Sequence, residues 1–157
     1  EMFSNLGSLR LYVGVDGVDP ARIGFKGVTA RREDHFVNYG MRDVALDPVG
    51  YNGTTTTCEA LYMGVPVLTC LGDRHVSRVS ASLLHRMGMD GWVAQNEDQF
   101  VRIAQAAAAQ PDALAQRRSR MRADYLASPL NDGAALARDL EAAYREMWQQ
   151  HCSANIS

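Results

Sequence analysis

The sequence predicts an α/β fold in which a Rossmann-like, mostly parallel sheet is flanked by helices and followed by C-terminal helices. Two observations predict it. Short apolar segments alternate with segments of helical periodicity, and several connections between them are short and contain glycine. Beyond residue 96 only helical patterns remain. With 157 residues, the chain is long enough to bury a core within one domain.

Five segments have the pattern of strands. The first alternates apolar and polar residues, and the third and fourth are short apolar runs. Pro66 stands near the start of the fourth, where a missing N–H is tolerated. The predicted strands are residues 9–13, 22–28, 43–47, 65–70 and 92–94.

The predicted helices have recognisable ends. Glu33 and Asp34 lie in the first turn of the first helix, where the helix dipole favours acidic residues. Gly64 is suited to end the second helix, and Pro111 is suited to a first helical position. Helices are expected at about 29–40, 55–63, 75–87 and 98–109, then from 111, and at 133–149.

The composition limits the partners and the location of the chain. A net charge of -2 gives no reason to expect nucleic acid or an anionic membrane as a partner. The basic run 117–122 lacks aromatic residues and is typical of a solvated helix face. No apolar run approaches the roughly 20 residues that span a bilayer. Three cysteines without metal-ligand spacing indicate free thiols in a reducing compartment, so we expect a cytoplasmic protein.

The stretch 46–61 predicts the end of a buried strand, a tight loop and the start of a helix. Gly50 and Gly53 allow backbone conformations of positive φ, and the threonines at 54–57 supply hydroxyl groups. A helix start has unpaired N–H groups and a partial positive charge. The stretch is therefore a candidate seat for a phosphate or a carboxylate.

Two other interpretations apply to the same residues. Asn52-Gly53 could be the turn of a β-hairpin, but the helical pattern of residues 60–63 disfavours it. Thr56 and Glu59 have the spacing of a capping box, in which both side chains bond the first amides of the helix. A capping box remains open at this point, and it does not exclude a ligand.

Three predicted loops lie at the carboxyl ends of strands, at residues 29–35, 48–55 and 71–75. Ligands of open α/β sheets bind outside these ends. The loops therefore predict one binding site.

An ordered set of motifs resembles the C-terminal catalytic half of O-linked N-acetylglucosamine transferases. More closely, it is similar to bacterial homologues that carry tetratricopeptide repeats upstream. The resemblance covers about residues 22–150. The motifs are DVALD at 43–47, YNGTTT at 51–56, EALYMGVPVLT at 59–69, GDRHVSRVSASLL at 72–84, SPL at 128–130 and YREMW at 144–148.

The resemblance implies the C-terminal lobe of a GT-B glycosyltransferase. Such enzymes transfer a sugar, here N-acetylglucosamine or a similar one, from a UDP-sugar to Ser or Thr of a protein, with inversion and without a metal. It implies a nucleotide-sugar-binding domain at 1–126, a helical extension packed on it at 127–151, and a tail at 152–157. The protein acceptor is expected to bind regions upstream, and a separate lobe is expected to be inactive.

The resemblance also assigns roles to individual residues. Those expected to contact the uracil, the diphosphate and the ribose are Ala30, Arg32, His35, Asn52, Gly53, Thr54, Thr55, Thr56 and Glu59. Ala30 and Arg32 would flank the uracil, and Thr55 and Thr56 would hold the diphosphate. Glu59 offers two acceptor oxygens to the ribose hydroxyls. The alternatives are helix capping for the threonines and Glu59, and a structural role for His35.

Some positions depart from the family pattern. Thr54 stands where the family often has a histidine. The only lysine, Lys26, does not fall where the family places one against the distal phosphate. The catalytic base is unknown, since Asp47 and Asp73 are expected to cap loops. Two other functions therefore stay open, a noncatalytic nucleotide-binding or interaction module of this fold and another GT-B enzyme such as a sugar-nucleotide epimerase.

Overall fold

The structure is a computed structural model, and it describes residues 19–22, 24, 27 and 29–154. Two compact units comprise residues 1–30 and residues 31–157. The predicted strand at 9–13 lies outside the described residues. Within the first unit, Pro20–Arg22 forms a turn of 3-10 helix.

The strand predicted at 22–28 is not present at the described positions. Arg22 ends the 3-10 turn, and Gly24 and Gly27 have no regular structure. Asp19 explains the difference at Arg22, because its carboxylate accepts a hydrogen bond from the N–H of Ala21 and its carbonyl accepts one from the N–H of Arg22. These local bonds favour a turn over a sheet ladder. The other residues of this segment lie outside the described part of the chain.

The second unit contains a parallel sheet of three strands in the order β1-β2-β3, which confirms the predicted fold class. The strands are β1 (Ala45–Leu46), β2 (Val67–Cys70) and β3 (Val93–Ala94). Ala45 pairs with Val67 and Thr69 pairs with Val93. Every residue of β2 is buried, as expected for a central strand covered on both faces.

Six helices accompany the sheet in the described residues. They are α1 (Arg32–Val37), α2 (Thr55–Tyr62), α3 (Val79–Arg86), α4 (Glu97–Ala108), α5 (Pro111–Ala127) and α6 (Gly133–Ala154). Pro111 begins α5 as predicted. The helix α6 ends at Ala154, five residues beyond the predicted end at 149.

The helix predicted at 75–87 is divided. His75–Ser77 forms a 3-10 turn, and α3 begins only at Val79. The hydroxyl of Ser77 explains the break, because it accepts a hydrogen bond from the N–H of Arg74 and donates one to the carbonyl of the same residue. This closed turn sets the direction in which the chain enters α3.

The core lies between the sheet and helices α2, α3 and α5. Leu61, Val65 and Leu84 are fully buried in it, together with Met121 of α5. Gly64 ends α2 as predicted, with a φ of +78° and with a Cβ position only 3.0 Å from the carbonyl oxygen of Arg118. A side chain at position 64 would therefore push α5 away from α2.

The helix α6 has no buried residue. Large apolar side chains are exposed along it, at Leu136, Leu140, Tyr144, Met147 and Trp148. The domain division predicted at residue 127 stays a prediction. Among the described residues, no helix is both long enough and apolar enough to cross a bilayer.

We expect Leu84→Ala to lower the free energy of unfolding by about 2–5 kcal/mol, because it leaves a cavity in the core. Chemical denaturation measures this change. The matched control is Leu136→Ala on α6, where the side chain is 61% exposed and the expected change is within about 0.5 kcal/mol. Equal losses in the two variants would contradict the described core.

Candidate functional site

The candidate site lies at the carboxyl ends of β1 and β2, and the buried carboxylate of Asp47 anchors it. One oxygen of Asp47 accepts a hydrogen bond from the N–H of Gly53 at 2.8 Å. The other oxygen accepts one from the hydroxyl of Thr69 in β2 at 2.7 Å. Asp47 therefore connects β1, β2 and the loop before α2, as a loop cap. The same prediction for Asp73 is wrong, because Asp73 is exposed and bonds to no described residue.

The helix α3 holds the same loop from its other side. The hydroxyl of Ser80 donates to the carbonyl of Gly53 at 3.0 Å. Ser80 has one hydroxyl proton, so in the 2.9 Å contact with Thr57 the threonine is the donor. The N–H of Asn52 also donates to the carbonyl of Val76 at 2.9 Å. The loop is thus held between β1, β2 and α3.

Gly53 is required for lack of space rather than for its φ. A Cβ at this position would lie 2.5 Å from the hydroxyl oxygen of Thr56 and 2.8 Å from that of Thr57. Of the two glycines that allow a positive φ, Gly50 adopts one, at 89°, and Gly53 does not. The close approach packs the loop against the first turn of α2.

The first turn of α2 presents hydroxyl and N–H donors that have no acceptor among the described residues. Thr54 is the N-cap residue, and its side chain makes no capping hydrogen bond. Thr54, Thr55 and Thr56 are exposed, and their hydroxyl groups bond to no described residue. The first N–H groups of a helix also have no acceptor within the helix. These groups are free to bond an anion, and the anion seat itself stays a prediction.

The capping box predicted as an alternative is wrong. The helix begins one residue before Thr56, and the side chain of Glu59 reaches α1 instead. One oxygen of Glu59, Oε2, lies 3.1 Å from Nε2 of His35 and accepts a hydrogen bond from the hydroxyl of Tyr39 at 3.2 Å. The other oxygen, Oε1, makes no hydrogen bond to the described residues.

Asn52 is the buried group in this region that lacks partners. Asn52 is 3% exposed, and its side-chain atoms Nδ2 and Oδ1 have no hydrogen-bond partner among the described residues. A buried polar group without a partner costs about 1–3 kcal/mol, so such groups usually bond a ligand or water. An ordered water or a polar ligand at this loop would supply the missing hydrogen bonds.

A cavity of about 210 Å³ lies between the end of β1, the start of α2 and the segment that contains His35 and Tyr39. His35 and Tyr39 line it from the side of α1, Asp47 from the end of β1, and Thr56 from the start of α2. Tyr39 is a site residue that the sequence analysis missed. The sequence contains one indication of its place beside the site. Tyr39 follows His35 by four residues, and residues four apart in a helix lie on the same face.

The described structure does not test two of the predicted site residues. Ala30 is exposed and belongs to the first unit, and Arg32 begins α1 with a side chain outside the described residues. Both stay predictions. Arg78 follows the third predicted loop, at 71–75, and stabilises it by donating to the carbonyl of Gly72 at 2.9 Å. In the described part of the chain, no group of three or more His, Cys, Asp or Glu could hold a metal ion.

Residues 6–140 match the family described as glycosyl transferase family 41. The chain belongs to this family. The matched range includes every predicted site residue. A relative named probable UDP-N-acetylglucosamine–peptide N-acetylglucosaminyltransferase SPINDLY, from Solanum lycopersicum, is 39% identical over 140 residues and covers 89% of this chain. The UDP-N-acetylglucosamine–peptide N-acetylglucosaminyltransferase of Caenorhabditis elegans is 32% identical over 143 residues, which cover 91% of this chain.

A solved structure supports the same membership of family 41. It is a mutant O-GlcNAc transferase from Thermobaculum terrenum, with a TM-score of 0.73 and 35% identity over 79% of this chain. The predicted fold class, the C-terminal lobe of a GT-B transferase, is thereby confirmed. The chain spans 24% of that structure's chain, and 15% and 12% of the two relatives' lengths.

We expect Asp47→Ala to lower the free energy of unfolding by about 2–4 kcal/mol, because it leaves the N–H of Gly53 and the hydroxyl of Thr69 without their acceptor. Chemical denaturation measures the loss. Asp73→Ala removes a carboxylate from an exposed loop and is the matched control. The assigned anchor would be refuted by an Asp47→Ala protein as stable as this control.

The phenol of Tyr39 makes the free energy of unfolding depend on pH in the alkaline range. Burial, then the charge of Glu59 and its hydrogen bond, raise the pKa of Tyr39 above its ordinary value of 10.0, while Arg42 lowers it. Folding therefore favours the protonated phenol, and this contribution is complete below pH 10.0. We expect it to be lost as the pH rises through the folded-state pKa. Denaturation at a series of pH values should show a smaller alkaline decline in Tyr39→Phe, and identical declines would contradict this.

Proposed function

We propose that this chain is the UDP-sugar-binding C-terminal lobe of an inverting protein O-glycosyltransferase, which transfers N-acetylglucosamine or a similar sugar to Ser or Thr. The observation that carries the proposal is the set of unused polar groups around one loop. The side-chain amide of Asn52 and the hydroxyl groups of Thr55 and Thr56 have no hydrogen-bond partner among the described residues. Glu59 has one carboxylate oxygen engaged and one open. The names of the relatives support this donor and acceptor class.

The diphosphate fits the start of α2. Its negative charge would be stabilised by the helix dipole and by the first N–H groups of the helix. The hydroxyl groups of Thr55 and Thr56 are exposed beside these groups and can donate to phosphate oxygens. Gly53 has no side chain that could block the approach of a phosphate.

The ribose fits Glu59, one helical turn further along α2. A carboxylate oxygen accepts two hydrogen bonds, and the two hydroxyl groups of a ribose are adjacent donors. The open oxygen of Glu59 matches this requirement. The amide of Asn52 supplies a donor and an acceptor beside the loop, between strand end and helix start.

The proposed reaction follows from this placement. The hydroxyl group of a Ser or Thr acceptor attacks the anomeric carbon and passes its proton to a general base, the bond from this carbon to the diphosphate breaks, and the configuration inverts. Negative charge then develops on the departing UDP. Fixed donors at the start of α2 stabilise that charge where it forms, a role that a metal ion has in other enzymes.

Further parts of the proposal concern the whole protein. The acceptor protein binds regions upstream of this chain, as in the bacterial relatives with tetratricopeptide repeats that the motifs resemble. We place the protein in the cytoplasm because Cys58, Cys70 and Cys152 are free.

Calorimetric titration of the purified chain with UDP tests the site. We expect saturable binding, and in Thr55→Ala/Thr56→Ala a Kd about 10- to 30-fold higher, because two hydrogen bonds of about 1 kcal/mol each are lost. The control is Ser119→Ala/Ser153→Ala, which removes two hydroxyl groups that bond only helix carbonyls. Absence of detectable heat at millimolar UDP would count against the proposed function.

A further inference from the structure

Tyr39 holds its hydroxyl group in a fixed place. The residue is 3% exposed, and its ring packs in the core cluster with Ala60, Leu61 and Val67. The ring cannot change its rotamer without disturbing these contacts. Its hydroxyl group donates to Oε2 of Glu59 at 3.2 Å. The core thereby supplies a rigid donor to the edge of the candidate site.

His35 is a less rigid partner of the same oxygen. Its side chain is 41% exposed, and its Nε2 lies 3.1 Å from Oε2 of Glu59. The imidazole ring stands at 88° to the ring of Tyr39, with 5.4 Å between the centroids. The edge of Tyr39 therefore supports the orientation of His35 as well.

Both donors occupy one oxygen of the carboxylate. A carboxylate oxygen has two lone pairs, and a carboxylate only accepts hydrogen bonds. His35 and Tyr39 together use both lone pairs of Oε2. The remaining two acceptor positions lie on Oε1, which has no partner among the described residues. This matches the two adjacent hydroxyl groups of a ribose.

We propose that Tyr39 is a positioning residue, which holds Glu59 in the orientation where Oε1 receives both ribose hydroxyl groups of the nucleotide. The inference rests on the proposed function. A free glutamate side chain has several rotamers, and ordering it on binding costs conformational entropy. Tyr39 removes this cost before the ligand arrives. It does so as a neutral donor, so Glu59 keeps its negative charge and its strength as an acceptor.

The test compares UDP with 2′,3′-dideoxy-UDP, which lacks both ribose hydroxyl groups. We expect Tyr39→Phe to raise the Kd for UDP about 5-fold in calorimetry, as expected for one lost hydrogen bond of about 1 kcal/mol. The Kd for the dideoxy nucleotide should not change, because that ligand does not use Oε1. Phenylalanine keeps the buried ring, so a general loss of packing would affect both ligands equally.

Tyr62→Phe is the matched control, because Tyr62 lies on α2 and its hydroxyl group accepts from Arg122, away from the site. It should bind both nucleotides as the unmodified chain does. In a Glu59→Ala background, Tyr39→Phe should have no further effect on the Kd for UDP. This second comparison also tests the coupling between the two residues.

The outcomes separate the inference from the proposed function. If the unmodified chain does not bind UDP, the proposed function fails. If it binds UDP but Tyr39→Phe binds equally well, or weakens both nucleotides by one factor, only the role of Tyr39 is overturned. A Tyr39→Phe effect that persists in Glu59→Ala overturns it too. A loss confined to UDP, and absent without Glu59, supports it.

Discussion

The structure depends on the carboxylate of Asp47, which joins the hydroxyl of Thr69 to the N–H of Gly53. A buried carboxylate is stable only when hydrogen bonds replace water, and these two donors provide them. They also hold the end of β1, the middle strand β2 and the loop in one arrangement. The loop in turn decides where α2 begins. The position of Thr55 and Thr56 relative to the sheet is a consequence of this one buried group.

Satisfied and unsatisfied polar groups divide the site by role. Asp47, Thr57 and Ser80 are buried and fully engaged with the protein, so they shape the loop. Asn52 is equally buried, but its side-chain amide has no partner among the described residues. Glu59 is intermediate, with one oxygen engaged and one open. This division explains how a loop can be rigid and still keep hydrogen-bonding capacity for a ligand, since separate residues serve the two needs.

The family and the geometry support each other at different levels. The match over residues 6–140 places the chain in glycosyl transferase family 41. It does not describe how the residues of this chain are arranged. The structure adds the contacts of Oε2 of Glu59 with His35 and Tyr39, and these explain why only Oε1 stays open to a ligand. The sequence could describe this loop only as a helix start able to hold a phosphate, and our proposal assigns a diphosphate and a ribose to it.

The sequence by itself determined the features that depend on neighbouring residues. Alternating apolar and helical segments indicated the parallel sheet, Gly64 and Pro111 marked helix ends, and the glycine-threonine loop marked the site. Tertiary structure decided what depends on distant residues. Glu59 has the local spacing of a capping box. Its carboxylate instead accepts a hydrogen bond from the hydroxyl group of Tyr39, 20 residues away. Such a contact forms only when the 3-10 turn Asn38–Met41, which follows α1, packs beside α2, because the core then fixes the ring of Tyr39 beside the carboxylate. No local pattern contains that information.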